Sequence, residues 1–189
     1  MIMWITNRIT GLLVSKNIIN EDIEIYEYGL AMLISYSINV FIIMSIGFVN
    51  KTVLLSIIYL ICFDKLRDNC GGYHAKTYTK CSCSFALIHI IYLIISKYVN
   101  FASLFIVAGV LWLSLFTKLP VEHPNKKLTL TENQVNGKKA NINFFLYLFF
   151  SLVVRDHLYI GNAICTSIIL ICLLCYVQLY INNKEERLC

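Results

Sequence analysis

A histidine and a cysteine, His74 and Cys81, lie seven residues apart in a polar segment, residues 67–81, between long apolar runs. Cysteine catalysis needs a thiolate nucleophile and a nearby base that accepts the thiol proton. On one continuous helix these side chains would share a face but lie about 10 Å apart along the axis, too far for a hydrogen bond. The chain must therefore bend if they act together. Gly71 and Gly72 offer one bend, and the polar residues 75–80 offer a second.

The expected surroundings of Cys81 suit a nucleophile, although other interpretations stay open. Cys81 is expected at the start of an apolar helix, where the helix N-terminus, Lys76 and Lys80 would favour a thiolate. His74 and Cys81 could equally be ordinary loop residues. His89 could be the base, but it lies eight residues beyond Cys81 on a different helix face. Packing or hydrogen bonding inside a helix bundle is a simpler role for His89.

The chain has eight cysteines, which raises the questions of zinc binding and of disulfides. Five residues could be considered as zinc ligands: Cys62, Cys70, His74, Cys81 and Cys83. Their spacings lack the paired steps of common zinc sites. Three further cysteines lie inside an apolar run, where cysteine usually acts as a small hydrophobic residue, namely Cys165, Cys172 and Cys175. The polar segment is expected in the reducing cytoplasm, so we expect free thiols there. The lack of paired ligand spacings is the reason that we expect no metal site.

The composition indicates a single integral membrane domain over residues 1–189. The chain is 58% hydrophobic, its mean hydropathy is +0.69, and 14% of its residues are charged, against about 25% in a typical soluble protein. Six apolar segments predict an all-α, polytopic helix bundle: residues 28–49, 52–63, 83–96, 101–119, 142–154 and 158–181. The second, third and fifth are shorter than the roughly 20 residues of a full span, so four spans with two re-entrant or interfacial segments are an alternative.

Three polar or amphipathic segments accompany these apolar runs. Residues 1–27 do not have the pattern of a cleavable signal peptide. They contain an amphipathic stretch that could lie on the membrane surface, anchored by Trp4, or pack on the protein's own loops. Residues 64–82 form the expected catalytic loop, and residues 120–140 form a second, basic loop.

The distribution of positive charge predicts the orientation in the membrane. With six spans and an inner N-terminus, thirteen of the sixteen Lys and Arg residues fall on the inner side, as the positive-inside rule requires. Both termini and both polar loops are then cytoplasmic. The net charge of +5 follows from this topology and suits anionic lipid headgroups. No interleaved aromatic and basic pattern accompanies it, so we expect no nucleic-acid binding.

The polar segment also resembles a known family. The pattern Arg67-x-x-x-Gly71-Gly72-Tyr73-His74-Ala75, followed by Cys81, is similar to the signature of the accessory gene regulator B (AgrB) proteins. These are membrane cysteine endopeptidases of peptide quorum sensing in Gram-positive bacteria. Residues 120–128, Pro-Val-Glu-His-Pro-Asn-Lys-Lys-Leu, are similar to that family's segment after its fourth hydrophobic stretch. The resemblance covers nearly the whole chain.

The resemblance implies a role for each residue of the motif. Cys81 is the implied nucleophile and His74 the implied general base, with no cofactor. Arg67 and Gly72 match positions that the family needs for activity, and Gly71 belongs to the same motif. A third catalytic residue is not evident, since three side chains could each orient the histidine: Asp68, Asn69 and Glu122.

The resemblance also implies a substrate and a reaction. The expected partner is an AgrD-like precursor peptide with an amphipathic leader, a central cysteine and an acidic C-terminal tail. Removal of the tail through a cysteine acyl-enzyme would be followed by cyclisation to a thiolactone or lactone autoinducing peptide. Membrane lipids and a second copy of the chain, in a homodimer, are further expected partners. A non-enzymatic peptide exporter or channel is the main alternative. A zinc-dependent membrane protease is a weaker one, because the chain has no H-E-x-x-H helix.

Overall fold

Seven helices make up the fold of the described residues, which are 2–19, 21–73, 77–122, 128–157 and 159–186 of a computed structural model. In chain order they are α1 (Ile2–Ser15), α2 (Ile23–Val49), α3 (Val53–Cys70), α4 (Tyr78–Tyr98), α5 (Phe101–Leu115), α6 (Leu130–Val153) and α7 (Ile160–Glu186). Within the described residues the pairing of extended backbone is limited to one isolated bridge, between Gly71 and Val121. The predicted all-α class is therefore confirmed.

Three of the helices, α2, α4 and α7, are long and apolar enough to cross a membrane. Helix α5 is apolar but shorter. Each of the six predicted apolar segments lies largely within one of the helices α2 to α7. The chain is thus a membrane protein by its helix composition. The count of six spans and the cytoplasmic position of the loops stay predictions.

Helices α3 and α6 each combine an apolar half with a polar half. Helix α3 continues past its apolar segment through the polar residues 64–70, and α6 begins with the polar residues 130–141. As a result, the connection between α3 and α4 is limited to residues 71–77. A capping box, in which the side chains and backbones of Thr129 and Glu132 bond reciprocally, fixes the start of α6.

Helix α1 packs against α2. Its buried residues are Thr6 and Thr10, whose hydroxyls donate to carbonyls one turn earlier in the helix. Trp4 and Leu12 stay exposed, and the Arg8 guanidinium lies 4.9 Å from the Trp4 ring centre. The threonine face therefore meets the protein, and the outward face combines apolar residues with polar ones such as Arg8.

Helix α7 is the central element of the fold. It packs against α3, α4, α5 and α6, and every residue from 161 to 172 is buried. A helix that is apolar all round its circumference is buried on all sides, and this sequence has that pattern. Cys165, Cys172 and Cys175 lie fully buried in this helix, as small apolar residues that allow close helix packing.

A buried asparagine joins the beginning of α7 to the end of α4. The Nδ2 atom of Asn162 donates to the carbonyl oxygens of Ser96, at 3.0 Å, and Val99, at 2.9 Å. The last carbonyls of a helix have no partner within the helix, so an outside donor satisfies them. This contact fixes the depth of α7 relative to α4.

We expect Asn162→Ala to lower the free energy of unfolding by about 1–3 kcal/mol, because the carbonyl oxygens of Ser96, which is buried, and Val99, which is partly buried in this contact, lose their donor. The measurement is the thermal midpoint of the detergent-purified protein. Asn183→Ala is the matched control, since Asn183 lies exposed on the same helix. Equal midpoints for the two variants would contradict this role of Asn162.

Candidate active site

Cys81 lies in the first turn of α4. The helix begins after Thr77, whose side chain accepts a hydrogen bond from the backbone N–H of Lys80 at 3.3 Å. The backbone N–H of Cys81 donates to the Thr77 carbonyl at 2.9 Å, and the Cys81 side chain is half-buried. The unpaired amides of a first helical turn make this an electropositive place for a thiol.

The two glycines at the end of α3 both have positive φ angles, of +71° at Gly71 and +103° at Gly72. At Gly71 the backbone pairs with residue 121: the Val121 N–H donates to the Cys70 carbonyl at 2.8 Å, and the Gly72 N–H donates to the Val121 carbonyl at 3.4 Å. A Cβ at Gly71 would lie 2.2 Å from the Val121 carbonyl oxygen, whereas a Cβ at Gly72 would find its nearest atoms at 3.5 Å. Gly71 is therefore required by both conformation and space, and Gly72 by conformation alone.

Tyr73, the residue before the predicted base, is held at both of its backbone polar groups. Its N–H donates to the Leu174 carbonyl of α7 at 3.3 Å. Its carbonyl oxygen accepts from Arg67 Nη2 at 2.8 Å, and the Arg67 guanidinium also lies 5.8 Å from the Phe63 ring centre. Arg67 thus ties α3 to the segment that leads to His74. His74, Ala75 and Lys76 themselves lie outside the described residues.

A cavity of about 740 Å³ lies between α2, α3 and α4, and Cys81 is part of its wall. Helix α3 contributes Asp64 and Asp68 to the same cavity, and α2 contributes Tyr36. The Tyr36 hydroxyl donates to Asp64 Oδ2 at 2.8 Å and so joins α2 to α3. This volume falls in the usual range of pockets that bind small molecules.

Two titratable groups near the 71–77 connection differ in their surroundings. Burial raises the pKa of the Asp64 carboxyl, while the hydrogen bond from Tyr36 opposes that shift. Burial also raises the pKa of the Cys70 thiol, which has no exposed surface. Cys70 is therefore a protonated, inaccessible thiol at neutral pH. The Cys81 side chain is half-buried.

The three residues proposed to orient the histidine have different surroundings. Asn69 donates through Nδ2 to the Lys65 carbonyl of its own helix, at 2.9 Å. Glu122 accepts through Oε1 from Asn133 of α6, at 2.8 Å. Asp68 lines the cavity that contains Cys81. Of these three, Asp68 is the one that shares a cavity with Cys81.

His89 is fully buried among aromatic rings. Its ring centre lies 4.9 Å from that of Tyr59 and 5.8 Å from that of Tyr92. Neither ring nitrogen has a hydrogen-bond partner among the described residues. His89 lies about 12 Å beyond Cys81 along α4, so packing inside the bundle describes it better than the role of base.

The contribution of α2 to this site was not expected from the sequence. The residues that α2 contributes repeat at helical spacing on one face: Tyr28, Met32, Ser35, Tyr36 and Asn39. A run of polar residues at this spacing within an apolar helix was the available signal. Asp64 and Asp68, four residues apart on α3, were the matching signal on the facing helix.

The described part of the chain holds no cluster of three His, Cys, Asp or Glu side chains suited to a metal ion. Its seven cysteines are all free thiols. Around Cys81 the described residues place a half-buried thiol at a helix N-terminus, beside a cavity and a fixed backbone turn.

The comparisons with known proteins identify one match. The sequence model described as accessory gene regulator B matches residues 6–179, nearly the whole chain. No curated protein and no solved structure matched the chain. The resemblance inferred from the polar segment is thus confirmed at the level of the family.

We expect Gly71→Ala to lower the free energy of unfolding by about 2 kcal/mol or more, because the new Cβ would meet the Val121 carbonyl at a left-handed φ. Gly72→Ala should be milder, since it adds strain without a clash. Gly109→Ala is the control, because a Cβ there has no neighbour within 4 Å. Thermal unfolding in detergent gives the midpoint of each variant, which we expect to be lowest for Gly71→Ala and highest for Gly109→Ala. Equal midpoints for Gly71→Ala and Gly109→Ala would contradict the requirement for glycine at position 71.

Proposed function

Because this chain belongs to the accessory gene regulator B family, we propose that it is a membrane cysteine endopeptidase that processes a quorum-sensing peptide. It removes the C-terminal tail of an AgrD-like precursor and joins the new acyl end to a cysteine or serine of the same peptide. Cys81 is the nucleophile and His74 the general base. The observation that carries the proposal is the placement of Cys81, at a helix N-terminus and in the wall of a large cavity.

The proposed reaction has two acyl transfers. His74 takes the thiol proton of Cys81, and the thiolate attacks the carbonyl carbon of the scissile peptide bond. The C–N bond breaks, the tail amine takes the proton from His74, and the acyl part remains as a thioester on Cys81. The precursor's own thiol, deprotonated by His74, then attacks this thioester. A thiolactone forms and the Cys81 thiol is regenerated.

The energetics favour a covalent intermediate for ring closure. Exchange of a thioester for a thiolactone is close to isoenergetic, so the acyl-enzyme conserves the free energy needed to close the ring. The attacking thiol belongs to the same molecule and gains from a high effective concentration. Water must be kept from the thioester, or hydrolysis replaces cyclisation.

Arg67, Gly71 and Gly72 act as positioning residues in this proposal. None of them needs to touch the reacting atoms. The glycines allow the turn that pairs with Val121, and Arg67 holds the Tyr73 carbonyl. Because Tyr73 directly precedes His74, these contacts limit where the base can lie relative to Cys81.

We expect Cys81→Ala to abolish processing and His74→Ala to reduce it by about 10²–10⁴-fold. The precursor encoded beside the gene is co-expressed in a foreign host, and intact peptides are measured by mass spectrometry. Wild type should yield a tail-less peptide one water lighter than the linear product. Cys83→Ala is the matched control, because Cys83 is an exposed thiol two residues further along α4.

The same experiment separates the enzyme from a non-enzymatic exporter. An exporter would tolerate Cys81→Ala, and full-length precursor would leave the cell in both samples. Processing that persists in Cys81→Ala at the wild-type level would remove Cys81 from the reaction. Processing that persists in His74→Ala alone would remove His74 as the base and leave the nucleophile in place.

We propose that basic residues attract the acidic tail of the precursor. Lys126 and Lys127 lie outside the described residues, whereas Lys138 and Lys139 are exposed on the polar half of α6. In the proposed orientation all four lie on the cytoplasmic side, as do both termini and Cys81. A basic surface raises the local concentration of an anionic peptide and its rate of association. A homodimer is also part of the proposal, by the family resemblance.

We expect neutralisation of Lys138 and Lys139 by Gln to weaken precursor binding by roughly three- to tenfold at low salt, with a smaller difference at high salt. Fluorescence anisotropy of a labelled precursor measures the affinity. Lys51→Gln with Lys97→Gln is the matched control, since both lysines lie on the proposed outer side of the membrane. An unchanged affinity in the α6 variant would leave those lysines a purely topological role.

A further inference from the structure

The cavity beside Cys81 is an elongated groove formed by one face of each of three helices. On α2 its wall extends from Tyr28 to Asn39, about 16 Å along the helix axis. On α3 it extends from Asp68 to Leu60, and on α4 from Thr77 to Phe85. A groove of this length accommodates about five residues of an extended peptide.

The hydrogen bond between Tyr36 and Asp64 divides the groove into two ends. Toward the 71–77 connection lie Asp68 and Thr77, which are polar and exposed. In the other direction, toward the middle of the helices, the wall becomes apolar. We call this second end the inner pocket, and its residues are Asn39, Leu60, Ile61 and Phe85.

Asn39 is the exception in the apolar inner pocket. Its side-chain oxygen Oδ1 is buried and has no hydrogen-bond partner among the described residues. Buried polar atoms of folded proteins are nearly always paired, so an unpaired carbonyl oxygen in a pocket wall needs an explanation. A turn of the Asn39 side chain toward the pocket would let an N–H group of a ligand supply the missing partner.

The inner pocket lies within reach of a peptide attached to Cys81. Phe85 is four residues beyond Cys81 on the same face of α4, about 6 Å along the axis. Phe85 also closes the pocket wall, because its ring packs against Tyr59 at 5.3 Å and Phe63 at 5.4 Å. An extended chain advances about 3.3 Å per residue, so the one or two residues next to the reacting carbonyl reach this depth.

Desolvation selects which side of the scissile bond lies there. The route into the inner pocket passes residues of both charges, Asp64, Lys65, Arg67 and Asp68, whereas the pocket itself is apolar. An acidic tail would lose its hydration in the pocket without gaining a charged partner there. The acyl segment, which stays on the enzyme as the thioester, is the part that an apolar pocket can hold.

We propose that the inner pocket is the subsite for the residue immediately before the scissile bond, and that it selects a bulky apolar side chain. Asn39 Oδ1 accepts a backbone N–H of this acyl segment, and Leu60, Ile61 and Phe85 contact the side chain. The proposal rests on the proposed function, since it assigns one part of the precursor to one part of the groove.

The test measures protection of Cys81 from iodoacetamide, which requires binding but no cleavage. The probes are acetyl-Gly-Gly-Gly-Ala-X amides with Leu, Phe, Asp or Lys at X. The detergent-purified protein carries Cys83→Ser, so that the neighbouring exposed thiol does not react, and mass spectrometry follows the peptide that contains Cys81. We expect the Leu and Phe probes to slow alkylation at concentrations about tenfold or more below those of the Asp and Lys probes.

Variants of the inner pocket make the test specific. Asn39→Ala should raise the protecting concentration of the Leu probe by about tenfold. Ser37→Ala should leave it unchanged, because Ser37 is exposed on the same helix and its hydroxyl donates to the Leu33 carbonyl. Ile61→Trp, at an exposed position of α3, should fill the pocket and remove the preference for Phe, which keeps the test decisive if Asn39→Ala fails to fold.

The outcomes separate this proposal from the proposed function. Equal protection by all four probes, or wild-type protection of Asn39→Ala and Ile61→Trp, would overturn the subsite even if Cys81 cleaves the precursor. The opposite combination is also informative: the probes show the expected order of protection, but the Cys81→Ala variant still processes the precursor. This result would support the apolar subsite as a peptide-binding pocket and overturn only the catalytic role of Cys81.

Discussion

The backbone hydrogen bonds of residues 70–73 are the constraint on which the candidate site depends. At this point α3 ends, and its last carbonyl and the following amides bond to Val121 and to Leu174 of α7 instead of to water. The pairing requires two consecutive residues with positive φ, and at Gly71 it also requires the absence of a side chain. The chain therefore enters the 71–77 connection from a fixed point and in a fixed direction. In a loop held only by its two ends, the residues before Cys81 would have many positions available.

Helix α7 makes this constraint effective because it supports both sides of the connection. It packs against α3 before the connection and against α4 after it, and its Cys175 lies beside Gly72. Since α7 is buried nearly all round through its first half, α3 and α4 cannot shift on it without opening the core. The small side chains of Cys172 and Cys175 allow the close approach of the chain at Cys70 and Gly72. An apolar helix, none of whose described residues lines the cavity, thus supports the geometry of the candidate site.

The sequence predicted the parts of this arrangement that depend on local chemistry. Apolar runs predicted the helices, and the glycines, His74 and Cys81 pointed to a bend beside a nucleophile. Other parts depend on contacts between residues far apart in the chain. The pairing of Gly71 with Val121 and the role of Tyr36 in the cavity result from packing, which periodicity cannot supply. The polar halves of α3 and α6 were likewise expected as loops, because polar residues lower the hydropathy of a segment. Polar residues do not prevent a helix, however, when one face of that helix packs on α7.

A groove that binds the acyl segment and a site that protects a thioester have the same physical requirement. In the proposed reaction the thioester on Cys81 must persist until the precursor's own thiol reaches it, so water has to be displaced from one side of the acyl group. The apolar wall formed by Leu60, Ile61 and Phe85 is dry only when a side chain fills it, because an empty cavity of this size with Asn39 in its wall can hold water. A precursor with a small or charged residue next to the scissile bond would leave the pocket wet, and its thioester would be hydrolysed more often. Selectivity for the substrate and selectivity for cyclisation over hydrolysis would then have a common origin in the filling of one pocket.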